Sequence, residues 1–223
     1  MPEGNIAQKN NVEEILLRIE EEVKGMLPFG EKVREETKAP FLVLLSVILS
    51  ARTKDETTEV VCKKLFKKVK TPKDLLKIPK SKLETILKPI GFYRQKARYL
   101  RETAKKIIRE YDCDVPDSFK ELIKLPGVGR KTANLVLSLS FGKNTICVDT
   151  HVHRISNRLG FVKTKTPFET EMELKRVLPE KWWSKINTLF VLYGKSICTP
   201  LRPKCEECSV KEFCKFFREK NRR

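Results

Sequence analysis

The sequence has no apolar run long enough to cross a bilayer, and this sets aside a membrane-embedded protein. The longest run, Phe41 to Leu49, falls far short of the roughly 20 residues that a spanning helix needs. The first residues also lack an apolar core behind a basic start, so an export signal is not expected. We therefore expect an intracellular, cytoplasmic chain with no membrane partner.

The sequence has few histidines and an odd number of cysteines. The two histidines, His151 and His153, are two positions apart, so on a helix their side chains diverge and make a poor metal pair. Seven cysteines argue against a disulfide framework and for metal ligands or free thiols in a reducing compartment.

Alternation of polar and apolar residues is also missing, so no stretch predicts a β-strand. The patterns that do occur are helical. Residues 12–27 form an amphipathic pattern, and Pro40 to Leu49 is apolar nearly all round, as in the centre of a helical bundle. The charged stretch between them, Glu31 to Lys38, predicts no element of its own. The expected fold class is all-α.

Acidic residues are in the minority, and this bears on the partner. Forty-seven lysines and arginines stand against 29 aspartates and glutamates, a formal net charge of +18. Such an excess suits a polyanion, held largely through counterion release. Nucleic acid is the favoured partner over an anionic membrane surface.

The stretch from Leu125 to Val136 has the pattern of a turn between two helices. Ser118 can cap a first helix, Pro126-Gly-Val-Gly129 cannot be helix interior, and apolar spacing resumes after Thr132. The pattern therefore predicts a helix-hairpin-helix motif over about 118–139. The N–H groups of Val128, Gly129 and Arg130 would then be free at a helix start, where phosphates bind.

Lys131 falls in the first turn of the second helix. The positive end of the helix dipole disfavours an ammonium ion there and favours a neutral, nucleophilic amine. The plain alternative is a simple helix connection in which Lys131 is solvated like most other basic residues.

One further stretch carries possible DNA-facing residues. Phe92 and Tyr93 follow Gly91 among several cations. Exposed aromatic side chains could fill a gap in a base stack. Both aromatics could equally be core residues after a glycine that ends a helix.

Asp149 is a carboxylate at a predicted helix start, next to Thr150. It could take part in proton transfer with Lys131. Most Asp-Thr pairs before a helix are only N-caps, and that interpretation also stays open.

Four cysteines lie within the last part of the chain: Cys198, Cys205, Cys208 and Cys214. Clustered thiolates at such short spacing can surround one soft metal centre. Structural zinc sites more often use two Cys-x2-Cys pairs, whereas this chain has one. Spacing alone leaves iron–sulfur and zinc both open.

The chain resembles endonuclease III of the helix-hairpin-helix DNA glycosylase superfamily in three features. These are the segment Leu125 to Asn134, the segment Val148 to His151 and the cysteine spacing of six, two and five. The resemblance runs from about Pro40 to Cys214. It implies two helical domains with a DNA-binding cleft between them. One would span residues 32–143, and the other would combine residues 1–31 with 144–223 around a 4Fe-4S cluster.

The resemblance also implies the chemistry and the contacts. Lys131 would displace a damaged base, Asp149 would assist proton transfer, and the resulting imine would permit strand cleavage by β-elimination at the abasic site. The partner would be double-stranded DNA that contains damaged bases or abasic sites. A nucleoid-associated monomer is the default expectation, since no unexplained apolar helix face remains in the sequence. The implied DNA contacts are Gly127, Val128, Gly129, Arg130, His151, Arg202 and Lys204, with Arg52 and Phe92 at the gap left by the flipped nucleotide.

Two positions depart from the family pattern. Many relatives have glutamine where this chain has Arg52, and bacterial relatives usually have leucine where it has Phe92. The expected substrates are oxidised pyrimidines of the thymine glycol type. The alternatives are a uracil or thymine mismatch glycosylase of the same superfamily, and a DNA-binding protein without catalysis.

Overall fold

The computed structural model describes residues 4–221, with side chains from residue 11 onward, and every regular element among them is helical. None of these helices combines the length and apolar content that a bilayer crossing needs. The α-helices are α1 (Gly4–Glu22), α2 (Phe29–Thr37), α3 (Pro40–Ser50), α4 (Asp55–Phe66), α5 (Pro72–Lys77), α6 (Lys80–Leu87), α7 (Tyr93–Glu110), α8 (Phe119–Leu122), α9 (Arg130–Phe141), α10 (Thr150–Leu159), α11 (Pro167–Val177), α12 (Ile186–Ser196) and α13 (Lys215–Lys220), with 3-10 turns at Glu180–Trp182 and Lys211–Phe213. The predicted all-α class is confirmed.

The chain forms two compact units. One comprises Phe29–Lys143, and the other combines the described residues up to Pro28 with those from Asn144 onward. The boundaries of these units fall after Pro28 and after Lys143. Phe29 and Val33 of α2 are buried in the core of the first unit. The charged stretch 31–38 is therefore largely helix, which its composition did not predict.

The first unit is built around α3. Proline at the first helical position fixes the start of α3, and every residue from Phe41 to Leu49 is buried. Neighbouring helices α2, α4, α7 and α9 pack against it. This central position is the one predicted from its apolar composition, and it gives α9 a rigid support.

The second unit packs α1 against α12, and α10 against α11, α12 and α13. Ile15, Leu16 and Ile19 form the buried face of α1, as the amphipathic pattern predicted. The helix ends at Glu22 rather than near residue 27, because the chain turns at Gly25, whose φ of +80° lies in the left-handed region.

Candidate functional site

The predicted hairpin is present, and its turn depends on Gly127. Ser118 caps α8 by accepting a hydrogen bond from the Glu121 amide at 3.3 Å, and α9 begins at Arg130. Gly127 has a φ of +79°. A β-carbon there would also lie 2.8 Å from Cδ2 of Tyr99. Only glycine meets both the backbone and the packing requirement.

One of the predicted free amides is used inside the turn. The Val128 N–H donates to the Leu125 carbonyl at 3.0 Å, and Val128 itself is buried. The expectation that this N–H is free for phosphate is therefore wrong, because the hairpin closes on its own backbone. The Gly127 and Gly129 amides have no acceptor within residues 4–221 and remain the open donors of the turn.

Lys131 is the second residue of α9 and is exposed. The residues that follow it, Thr132 to Asn134, are buried, so the helix holds the amine at the surface of a packed unit. The preceding Arg130 places its guanidinium carbon 4.9 Å from the Phe119 ring centroid, which braces α9 against α8. The amine therefore projects from a rigid helix start beside two open amides.

Asp149 is the N-cap of α10. Its Oδ1 accepts hydrogen bonds from the amides of His151 at 2.8 Å and Val152 at 2.9 Å. Its other oxygen, Oδ2, accepts no hydrogen bond within the described part of the chain. The cap interpretation is thus correct, yet it leaves one oxygen available, so capping and proton transfer do not compete for the same atom.

The two histidines have different partners. His153 Nδ1 lies 2.7 Å from Thr170 Oγ1, whereas His151 Nδ1 lies 3.2 Å from Nη2 of Arg154. Arg154 also donates to the Cys198 carbonyl at 2.8 Å, and burial lowers the pKa of its guanidinium. The start of α10 is thereby tied to the cysteine loop.

The four clustered cysteines line one cavity, together with Arg158, Tyr193 and several apolar side chains. Arg158 lies 3.4 Å from the Sγ of Cys198, and the Tyr193 hydroxyl lies 2.9 Å from the Sγ of Cys208. Burial raises the pKa of the Cys208 and Cys214 thiols. Thiolates in this cavity therefore need positive charge nearby, from a metal centre and from Arg158.

The cavity suits an iron–sulfur cluster better than a single zinc ion. Zinc requires ligands that converge on one point, and no three Cys, His, Asp or Glu side chains of the described chain do so. Four thiols spread around a common volume match a cluster, in which each thiolate binds a different iron. The four thiols around this cavity fit the cluster that the resemblance implies.

Sequence reasoning did not single out Arg158. This side chain fixes the cysteine loop by donating to the carbonyls of Thr199 and Pro200, each at 2.7 Å. Arg154 and Arg158 lie four residues apart on α10, so they share one helix face, and both reach the same loop. That i, i+4 spacing of two arginines on α10, 40 residues or more before Cys198, is the signal that could have revealed them.

The residues expected at the lesion gap are exposed and close together. Arg52 and Phe92 are both exposed, and the Arg52 guanidinium carbon lies 6.0 Å from the Phe92 ring centroid. Tyr93 is partly buried against the core. Of the two aromatic residues, Phe92 is therefore at the surface and Tyr93 packs against the core.

The cysteine loop presents two cations to solvent. Arg202 and Lys204 are exposed, and the Lys204 amine lies 3.5 Å from Glu207. Both residues precede Cys205 in the segment whose backbone Arg158 holds.

Comparison with known proteins places these features in a family. Residues 45–180 match the model of the HhH-GPD superfamily of base excision DNA repair proteins, and residues 198–214 match the iron-sulfur binding domain of endonuclease III. Endonuclease III of Thermotoga maritima is 49% identical over 204 residues, which cover 92% of this chain and 95% of the relative.

Solved structures of related proteins have the same fold as this chain. A trapped endonuclease III–DNA covalent intermediate superposes with a TM-score of 0.85 at 33% identity, covering 96% of this chain and 98% of the other. A thermostable thymine-DNA glycosylase superposes with a TM-score of 0.82 at 28% identity, with the same coverage.

Hairpin and cysteine loop together define a base excision repair protein of the helix-hairpin-helix class. Within that class, the chain belongs to the endonuclease III family. It is a DNA glycosylase with AP lyase activity and carries a 4Fe-4S cluster, so the predicted enzyme class and cofactor are confirmed.

Proposed function

We propose that the chain removes oxidised pyrimidines of the thymine glycol type from double-stranded DNA and then cleaves the strand 3′ to the abasic site. The observation that carries the proposal is the exposed amine of Lys131, fixed at a helix start directly after the glycine turn. An amine in that setting is a nucleophile presented beside backbone donors for phosphate.

Each chemical step uses groups of this chain. The Lys131 amine attacks C1′ of the flipped nucleotide, the glycosidic bond breaks, and the base departs with a proton. Asp149 accepts the amine proton through Oδ2 and stabilises positive charge on the sugar. Opening of the sugar ring gives an imine. Loss of a C2′ proton then breaks the C3′–O bond and releases the phosphate.

The remaining contacts bind and orient the DNA. The Gly127 and Gly129 amides hold the backbone, aided by Arg130, and Arg202 and Lys204 contact phosphates from the cysteine loop. His151 contacts DNA at the start of α10. Val128 contributes by closing the turn, since its own amide is already bonded.

Cys198, Cys205, Cys208 and Cys214 are the proposed ligands of the cluster, which supplies a structural crosslink when bound. Arg158 and Tyr193 support this set from the cavity wall. The cluster loop then holds its cations in a fixed orientation toward DNA.

The base specificity can be tested with a panel of duplexes. Single-turnover rates would be measured on thymine glycol, uracil and thymine opposite guanine, each in the same sequence context. We expect thymine glycol to be processed fastest. A higher rate on uracil or mismatched thymine would favour the mismatch glycosylase, an alternative supported by the likeness to the thermostable thymine-DNA glycosylase.

The proposal includes a monomer that acts on DNA in the cytoplasm at the nucleoid. The strong basic excess supports the DNA partner, because it suits a polyanion. Sedimentation of the purified chain, free and bound to a short duplex, tests the one-to-one stoichiometry.

A further inference from the structure

Lys96 is a buried lysine that the proposed chemistry does not use. Its side chain is part of α7, and the residue is only 5% exposed. Its amine donates three hydrogen bonds, to the carbonyls of Leu49 at 2.8 Å and Ala51 at 2.6 Å and to Oγ1 of Thr53 at 2.9 Å. Burial lowers the pKa of this amine to about 8. Because burying a cation is costly, these three contacts call for an explanation.

The three acceptors enclose one residue. Leu49 and Ala51 precede Arg52, and Thr53 follows it, so the Lys96 amine holds the backbone before Arg52 and the side chain of the residue after it. The backbone N–H of Lys96 in turn donates to the carbonyl of Phe92 at 3.0 Å. Lys96 therefore contacts both the segment that carries Arg52 and the segment that carries Phe92.

Both of those side chains sit on strained backbone. Arg52 has a φ of +54° and Phe92 a φ of +58°, a left-handed conformation that is uncommon and strained for residues other than glycine. The two strained segments also lie close together, since a β-carbon added to Gly91 would lie 3.6 Å from the Arg52 carbonyl. Such strain persists only where surrounding contacts enforce it.

We infer that Lys96 is a positioning residue, which holds Arg52 and Phe92 in the conformation that enters the gap left by the flipped nucleotide. The inference rests on the proposed function and deepens it. Because Lys96 is buried, it is not assigned a contact with DNA or with the reacting atoms. It acts by fixing the two segments before DNA binds, so that ordering them does not oppose binding.

A purely structural cap is the competing account. Lys96 would then satisfy the last carbonyls of α3, and its removal would lower stability and affect all substrates alike. The positioning account predicts a selective loss on duplex DNA, where a nucleotide must be flipped and the gap filled. Single-stranded abasic DNA needs neither step.

The test compares AP lyase rates on duplex and single-stranded abasic DNA, expressed as a ratio. The variants are Lys96→Met, which removes the three hydrogen bonds, and Thr53→Val, which removes one acceptor with a smaller risk to folding. Arg101→Met is the matched control. Arg101 lies on the same helix and also donates to a loop carbonyl, that of Ile78 at 2.7 Å, but that loop carries neither Arg52 nor Phe92.

We expect Lys96→Met to lower the duplex-to-single-strand ratio about tenfold, the equivalent of one backbone residue losing its fixed conformation. Thr53→Val should lower it about threefold, as for the loss of one hydrogen bond, and Arg101→Met should leave it unchanged. An unchanged ratio in both test variants, or an equal fall in the control, would overturn the inference. Absence of lyase activity in the wild-type chain on either DNA would instead refute the proposed function itself.

Discussion

The Oδ1 atom of Asp149 accepts the backbone N–H of His151 at 2.8 Å and so begins α10. Asparagine can make the same cap through its side-chain oxygen but cannot accept a proton. Asp149→Asn should therefore keep the stability of the chain and slow base removal by roughly a hundredfold.

Single-turnover kinetics and thermal unfolding of the same variant check this. Asp149→Ser, which also caps but shortens the side chain, is the control for geometry and should be at least as slow. If the Asn variant removed bases at the wild-type rate, Asp149 would be a cap only.

The hairpin glycines should respond differently to alanine. At Gly127 the left-handed φ and the nearby Tyr99 ring both oppose a β-carbon. Gly127→Ala should destabilise the chain by about 2–4 kcal/mol and weaken DNA binding. At Gly129 a β-carbon meets no atom within 4 Å, so Gly129→Ala should fold normally. Denaturant unfolding compares the two, and equal losses would contradict this account of the turn.

Arg158 should determine how firmly the cysteine loop is held. Arg158→Met removes the hydrogen bonds to Thr199 and Pro200 and the positive charge near Cys198. We expect a cluster that is lost faster to a chelator, followed by its visible absorbance, and DNA affinity lowered about tenfold. The control is Arg176→Met, which breaks only an exposed ion pair with Glu173 and should change neither quantity.

Burial of Lys96 gives stability a predictable pH dependence. Its pKa of about 8 in the folded chain lies below the roughly 10.4 of a free lysine. Below pH 8 both states hold the proton, and the cost of burying the charge is fully present. Between pH 8 and about 10.4 the folded chain releases the proton first, so stability rises with pH.

The measurement is the difference in unfolding free energy between the wild-type chain and Lys96→Met. This difference should shift in favour of the wild type by about 2 kcal/mol from pH 7 to pH 9.5. A constant difference, or a shift of the opposite sign, would show that the amine titrates normally.

Local patterns predicted the parts of the structure that local physics determines. The apolar composition of α3 placed it in the core, and the glycine turn placed the hairpin. The charged helix α2 escaped prediction because only Phe29 and Val33 anchor it. Its helical state comes from packing rather than from pattern.

The site was predictable to the same extent. Lys131, Asp149 and the cysteines lie in short motifs, so their setting could be read locally. Lys96 could not be recognised in this way, because its partners lie 43 to 47 residues away in the chain. The internal use of the Val128 amide likewise depends on the closed geometry of the turn.

The central claim is that Lys131 forms a covalent imine with DNA, and borohydride trapping tests it most directly. The wild-type chain, Lys131→Gln and the control Lys124→Gln would each be incubated with duplexes that contain thymine glycol or an abasic site, and then reduced. Lys124 is a nearby exposed lysine, paired with Glu121.

We predict a covalent adduct on both duplexes for the wild-type chain and for Lys124→Gln. Lys131→Gln should give none while still binding DNA and retaining the cluster. An undiminished adduct from Lys131→Gln would contradict the assignment of Lys131 as the nucleophile.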